Sequence, residues 1–226
     1  MKNAILTATG LTALLWVIHS AVVLFSLNQG VLGLQPLNVY SLYGVLTAPL
    51  VHGSYEHLFN NTLPLICLLT MLLYGYPKTR GRVIVAIWLL SGIGVWLFAR
   101  SATHLGASGI THGLFFFLFT VSIFRRDKRS VVLMMIAFFM YGGMVMTIFP
   151  REPGISYEYH FFGAVAGFLS AIVWHRRDPK FIEKSYPWEL NESFDEDIAR
   201  IGDAWKTDEQ REQEDAEANG QNHRGT

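Results

Sequence analysis

The sequence predicts an all-α membrane protein, a bundle of six transmembrane helices followed by a C-terminal tail. Two observations lead to this prediction. Hydrophobic residues make up 51% of the 226-residue chain and charged residues only 16%, which is too apolar a balance for a soluble domain of this size. The apolar residues also gather into separate runs of about 20 residues, the length at which a helix crosses about 30 Å of hydrocarbon.

Each predicted span is an apolar run bounded by charged or turn-forming residues. The six spans are predicted at 4–27, 51–76, 82–100, 108–124, 130–149 and 156–174. The connection 28–50 carries no charged residue and is rich in Leu, Val and Tyr, so we expect it in the lipid interface. His19 lies inside the first span, where a hydrogen bond between helices is the favoured interpretation of a lone histidine.

The positive charges predict the orientation. The turns after spans two, four and six hold three, four and three Lys or Arg residues, whereas the turns after spans three and five hold one each. Positive residues concentrate in cytoplasmic turns. We therefore expect a multi-pass protein of the cell membrane, of the bacterial inner-membrane type, with both termini in the cytoplasm.

Charge also divides the chain into two predicted domains. The net charge is +8 up to Lys180 and −8 from Phe181 onward, so we expect a six-span core at 1–178 and an acidic cytoplasmic tail at 179–226. Apolar residues recur every three or four positions from Leu190 to Trp205, which predicts an amphipathic helix at about 189–206, either a plain surface helix or a docking helix for a partner protein. The polar end after it is predicted to be disordered.

Polar residues of three spans fall at the same predicted membrane depth. His52, His57 and Asn61 lie near the outer end of span two, Ser108 near that of span four, and His160 near that of span six. Polar groups that serve only local packing would scatter between the two leaflets. Ionisable residues inside a membrane usually mark a functional site, so their convergence predicts one.

Spacing indicates what Ser108 and His160 do together. G-x-x-x-G patterns at 109–113 and 163–167 lie beside them, and small residues let two membrane helices approach closely. The hydroxyl would then be within hydrogen-bond reach of the imidazole, which can take its proton and return it to a leaving amine. Glu158 points away from His160 on a helix, so we predict a dyad without a third carboxylate.

The developing oxyanion needs hydrogen-bond donors. Backbone N–H groups at the start of the helix at Ser108 lack partners within that helix. Asn61 offers a side-chain amide, and His57 lies one turn before it on the same face. The span that begins at Ser108 is short, so water is expected to reach it through a polar cavity.

Other interpretations of these residues remain open. The glycines and serine at 106–109 could be a small-residue packing site. A metal site is conceivable for the four histidines of the predicted cluster, although it would have only imidazole ligands; these are His52, His57, His112 and His160. The spans contain neither H-E-x-x-H nor an aspartate pair, and a transporter would need a polar path through both leaflets. We expect no cofactor, no metal and no nucleic-acid partner.

The three motifs resemble the rhomboid family of intramembrane serine proteases. The family pattern is H-x-x-x-x-H-x-x-x-N on the second span, G-x-S-G on the fourth and H-x-x-G-x-x-x-G on the sixth. Here these patterns stand at 52–61, 106–109 and 160–167, in the family's order. The resemblance implies a six-span rhomboid-like bundle, and an endopeptidase that cuts single-span transmembrane proteins near the outer face.

The resemblance also implies residue roles. Ser108 would be the nucleophile and His160 the general base and acid, with His57 and Asn61 as oxyanion helpers. His52 would be a further cavity residue. A rhomboid-like adaptor or chaperone, which binds transmembrane helices without cutting them, is the alternative function.

Two further positions bear on the resemblance. Gly106 is the first glycine of G-x-S-G and is implied as a support residue. His112 occupies the position where many rhomboids have an aromatic residue that supports the catalytic histidine; we expect support by stacking rather than competition for hydrogen bonds. The Trp-Arg pair that is frequent in the first loop of the family is absent from 28–50.

Overall fold

The computed structural model describes residues 1–150, 156–180, 206–208 and 210. The chain divides into two units, Met1–Phe181 and Ile182–Thr226, and the account that follows concerns the first. The predicted tail helix and the predicted disordered end lie outside the described residues, apart from 206–208 and 210. Both therefore stay predictions.

The described residues form an all-helical fold, as predicted, and contain no β-strand. The α-helices are α1 (Lys2–Leu24), α2 (Gln29–Leu32), α3 (Gly44–Thr47), α4 (Tyr55–Gly75), α5 (Arg80–Phe98), α6 (Ser108–Arg125), α7 (Lys128–Tyr141) and α8 (Tyr157–Trp174). Short 3-10 helices occupy Val39–Ser41, Ala48–Leu50 and Gly142–Ile148. The last of these continues α7 and begins at a pair of glycines, Gly142 and Gly143.

Five helices of the described chain are long and apolar enough to cross a membrane, so the protein is a multi-pass membrane protein. They are α1, α4, α5, α6, and α7 together with its 3-10 continuation. The predicted sixth span corresponds to α8, which has 18 residues but begins with a polar turn containing Glu158 and His160. That turn lowers the mean hydropathy, and the sixth span therefore stays a prediction.

The α6 helix occupies the centre of the bundle, and most of its residues are buried. Its most extensive contact is with α8, and glycines make this contact close. A Cβ added at Gly163 would lie 2.1 Å from the Gly109 carbonyl oxygen, and one at Gly167 would lie 2.0 Å from that of Gly113. The predicted close approach of these two helices is confirmed, and no larger residue fits at Gly163 or Gly167.

One end of α6 is fixed by its last residue. Arg125 is buried, and its guanidinium donates to acceptors from α7 and from the segment that follows α8. These acceptors are Asp127 Oδ2 at 2.8 Å, Ser130 Oγ at 3.1 Å, and the carbonyls of His175, Asp178 and Pro179 at 2.8, 2.9 and 3.1 Å. Buried charge is stable only when it is paired and hydrogen-bonded, and this one is.

The chain after α4 joins the same cluster. The Asp178 carboxylate accepts the Lys78 backbone N–H at 2.7 Å and the Thr79 hydroxyl. We call this group, Arg125 with Asp127, Ser130, Thr79 and Asp178, the arginine clamp. It ties the end of α6 to the start of α7, the turn between α4 and α5, and the segment that follows α8.

Candidate functional site

The first wall of the site is the start of α4. The Ser54 side chain caps this helix by accepting the His57 N–H at 3.1 Å, which places His57 in the first turn and Asn61 one turn later. Asn61 Nδ2 donates to the His57 carbonyl at 2.9 Å. A side-chain amide has two N–H donors, so the second remains available.

The loop before α6 is shaped by Gly106. Its φ is +110°, a conformation that side chains with a Cβ rarely adopt. A Cβ there would also lie 2.7 Å from Cε1 of His57. Gly106 N–H donates to the Ala48 carbonyl at 2.9 Å and Ala107 N–H donates to His52 Nε2 at 3.2 Å. The first position of G-x-S-G therefore requires glycine, because of both its backbone conformation and the lack of space for a Cβ.

Ser108 follows as the first residue of α6. Its backbone N–H has no acceptor within the helix, as expected for a helix start, and among the described residues no other group accepts it. This N–H is available to a ligand.

His160 lies in the first turn of α8, which Ser156 caps by accepting the Tyr159 N–H. Nδ1 of His160 lies 2.9 Å from the Thr147 carbonyl oxygen. A carbonyl can only accept, so Nδ1 carries the proton and Nε2 of the neutral ring has its lone pair. No hydrogen bond from the described residues occupies Nε2.

His112 stacks on His160, with ring centroids 3.9 Å apart and planes inclined by 9°. Its own nitrogens are engaged elsewhere. Nδ1 donates to the Ser108 carbonyl at 2.7 Å, and Nε2 is 2.8 Å from the Thr147 hydroxyl. His112 therefore packs against His160 without sharing its hydrogen bonds, and its supporting role stays a prediction.

These groups surround one cavity of about 750 Å³ at the end of the bundle opposite the arginine clamp. Five of the seven predicted site residues line it, namely Ser108, His160, His57, Asn61 and His112. Among the described residues no hydrogen bond joins Ser108 to His160, so the contact expected from the glycine spacing is not made in this structure. Catalytic hydrogen bonds are often long before substrate binds.

Two histidine predictions require correction. His52 is completely buried and lies behind the cavity rather than in it, with its ring edge-on to His57 at a centroid distance of 5.1 Å. It supports the loop before Ser108 through the Ala107 N–H. His19 makes no hydrogen bond between helices within the described chain, and its ring packs edge-on against Tyr55 at a centroid distance of 4.6 Å.

Sequence reasoning missed Thr147, which contacts the imidazoles of His112 and His160. It acts partly through its backbone carbonyl, which any residue type would supply, so no motif marks it. The only sequence signal near Thr147 is the glycine pair at 142–143, where the α-helix gives way to the 3-10 helix that contains Thr147. The described residues contain no group of three His, Cys, Asp or Glu side chains that could hold a metal ion, so the geometry gives the metal alternative no support.

Comparison with known proteins identifies the family. The family model described as "Rhomboid domain" matches residues 40–177. An uncharacterized protein of Mycobacterium tuberculosis is 33% identical over 171 residues, which cover 71% of this chain and 71% of the relative. One of Mycobacterium leprae is 28% identical over 150 residues, 62% of this chain and 59% of the relative. No solved structure matches. The chain therefore belongs to the rhomboid family.

Proposed function

We propose that the protein is an intramembrane serine endopeptidase in which Ser108 and His160 form a catalytic dyad. One observation carries the proposal. Both residues line a single cavity, and the bond from His160 to the Thr147 carbonyl leaves Nε2 as the unprotonated nitrogen. That is the tautomer a general base needs. Family membership agrees with this, since rhomboids are usually serine proteases.

The proposed reaction has two stages. Ser108 Oγ attacks the scissile carbonyl carbon while His160 Nε2 takes the hydroxyl proton. The tetrahedral intermediate then breaks its C–N bond, and His160 gives that proton to the leaving amine. Water attacks the resulting ester, His160 takes a proton from this water, and the ester C–O bond breaks as the proton returns to Ser108.

Three donors are proposed for the oxyanion. They are the Ser108 N–H, the second amide N–H of Asn61, and the imidazole of His57, which lines the same cavity. Fixed donors aimed at developing negative charge are worth more inside a cavity shielded from water than in water itself. The Ala107 N–H is not among them, because His52 already accepts it.

The membrane arrangement is also a proposal. The cavity lies at the end of the bundle opposite the turns rich in Lys and Arg, and those turns favour the cytoplasm. We place the cavity near the outer face, both termini in the cytoplasm, and α8 as the sixth span. Substrates would then be single-span membrane proteins cut near the outer face, and residues 179–226 a cytoplasmic extension of the core.

The test uses the full-length protein in liposomes with a transmembrane reporter and a fluorophosphonate probe. Wild type should cleave the reporter and become labelled at Ser108 alone, whereas Ser108→Ala and His160→Ala should do neither. Ser91→Ala is the matched control, because Ser91 is a buried serine of α5 that does not line the cavity. A folded wild type that is neither labelled nor active would refute the proposal.

One observation favours the adaptor alternative, namely that no hydrogen bond joins Ser108 and His160. An adaptor would bind transmembrane helices in wild type and in Ser108→Ala alike, with no cleavage by either. The same reporter therefore separates the two functions, since binding without cleavage supports the adaptor and loss of cleavage in the variants supports the protease.

A further inference from the structure

A second buried histidine lies close to the site but outside the cavity lining. His104 belongs to the loop between α5 and α6 and is 1% exposed. Its backbone N–H and carbonyl both pair with Leu34, each at 2.8 Å. Its ring contacts two other segments, with Nε2 3.1 Å from the Arg100 carbonyl and Nδ1 2.6 Å from the Ser156 hydroxyl. All four of its polar atoms are engaged.

The hydrogen-bond directions around His104 follow from its partners. The Arg100 carbonyl can only accept, so Nε2 donates and Nδ1 of the neutral ring accepts from the Ser156 hydroxyl. The Ser156 oxygen then remains free to accept the Tyr159 N–H at 3.3 Å, which caps α8. Burial lowers the pKa of His104 more than the bond to Arg100 raises it, which favours the neutral ring that this arrangement requires.

The bond between His104 and Ser156 bears on the site because of where the two residues stand in the chain. His104 precedes Ser108 by four residues, and Ser156 precedes His160 by four residues. The bond therefore joins the segment that positions the proposed nucleophile to the segment that positions the proposed base. A second link runs in parallel, because the Glu158 carboxylate accepts the Arg100 N–H at 3.4 Å and lies 3.5 Å from Arg100 Nε.

The contact between α6 and α8 explains why such a link is needed. Around Gly109, Gly113, Gly163 and Gly167 the two helices meet backbone to backbone, and glycines offer no side chain there that would fix one helix axially against the other. Hydrogen bonds at the helix starts supply that lock. A misplacement of about 1 Å between reacting groups can cost about 100-fold in rate.

We propose that His104 is a positioning residue, which sets the placement of Ser108 relative to His160 through its bond to Ser156. The inference rests on the proposed function. His104 does not touch substrate, and its effect reaches the reaction only through the placement of the dyad.

Three substitutions separate its two ring contacts. Asn at 104 places an amide oxygen near the position of Nδ1 and can keep the bond to Ser156, whereas Gln places an amide nitrogen near Nε2 and keeps only the bond to Arg100. Ala removes both. The control is Thr79→Ala, which removes one buried hydrogen bond of the arginine clamp at the far end of the bundle.

The readouts are kcat, KM, the rate at which fluorophosphonate labels Ser108, and thermal unfolding. We expect His104→Ala and His104→Gln to lower kcat and the labelling rate by about tenfold or more, with KM within about twofold. His104→Asn should stay close to wild type. Thr79→Ala should lower the unfolding temperature without changing kcat of the folded protein.

The contrary results are distinct. If folded His104→Gln and His104→Asn have equal kcat, or His104→Ala has that of wild type, the inference is overturned. If none of the three folds, His104 serves folding rather than placement, and the inference is likewise overturned. A wild type that neither cleaves nor labels counts against the proposed function itself, whereas a reactive wild type with insensitive His104 variants counts against this inference alone.

Discussion

The two ends of α6 bury polar groups in opposite ways. At one end the Arg125 guanidinium is buried and donates five hydrogen bonds. At the other end the Ser108 hydroxyl donates to none of the described residues and faces a cavity of about 750 Å³. Buried polar groups are normally satisfied. A fully satisfied cluster stabilises the bundle, whereas an unsatisfied one beside open space is where a ligand can be bound and transformed.

The largest expected effect is on stability, at the arginine clamp. Arg125→Met removes the ion-pair partner of Asp127 and the donor to three carbonyls, and breaking a buried ion pair typically costs about 3–5 kcal/mol. Thermal unfolding in detergent should show this loss, while the labelling rate of the folded protein stays unchanged.

The neighbouring Arg126→Met is the matched control for this substitution, because Arg126 is exposed and should lose little stability. A parallel fall in labelling and stability for Arg125→Met would break the comparison, since it would show that the two ends are coupled.

At the cavity end, Asn61→Ala should act on the reaction and not on folding. Removing one oxyanion donor typically lowers kcat by 10²–10³-fold, about 3 kcal/mol, and KM should stay nearly constant. Asn60→Ala is the control, since Asn60 also lines the cavity but has no proposed role. Equal kcat for the two variants would remove Asn61 from the oxyanion site.

Between the two ends, Gly163→Ala tests the close contact between α6 and α8, which we call the seam. The added methyl would overlap the Gly109 carbonyl, and overpacking of this kind costs about 1–3 kcal/mol. Unfolding temperature and cleavage should both fall. Gly10→Ala, where an added Cβ meets nothing within 4 Å, should be neutral or stabilising by up to about 1 kcal/mol; equal effects of the two would contradict a close seam.

A smaller effect is expected at His112. Its stacking on His160 belongs to a class of contact worth about 0.5–1.5 kcal/mol, so His112→Ala should lower kcat by about two- to tenfold. His112→Phe keeps a ring in place and should retain more activity than the alanine variant. The reverse order, measured with the reporter, would mean that the hydrogen bonds of His112 matter more than its ring.

The smallest expected effect is the pH dependence of the clamp. Burial acts to raise the pKa of Asp127, but hydrogen bonds from Ser130 and Arg125 outweigh it, and the net shift is downward from the usual 3.8. The carboxylate therefore stabilises the folded protein fully above pH 3.8, and this contribution is lost as the pH falls below that value. Thermal unfolding of wild type and Asp127→Asn should converge in acid; a constant difference would exclude this titration.

Some of this organisation could be predicted from the sequence. Runs of apolar residues locate the helices, and the alternation of direction brings the starts of α4, α6 and α8 to one end, where Ser108 and His160 share a cavity. The sixth span could not be settled by length and composition, because the first turn of α8 carries polar residues such as Glu158 and His160 and is for that reason less apolar.

The supporting contacts could not be predicted. Thr147 and His104 act through a backbone carbonyl and through a loop, neither of which follows a helical period. The bond that His52 accepts from the Ala107 N–H depends on how the loop 99–107 folds, and the family pattern reports only that a histidine stands at position 52. The helical period of a sequence specifies which face of a helix a residue occupies, but it does not specify which loop atom contacts that residue.

The bond between His160 and the Thr147 carbonyl has a consequence for how this site can be studied. The group that orients the imidazole belongs to the main chain, so an alanine scan leaves it in place and would pass over it. Only a change to the linkage, such as an ester in place of the amide between residues 147 and 148, would weaken that acceptor. The protonation pattern of the proposed base, His160, is thus set by the path of the backbone, whichever side chain stands at 147.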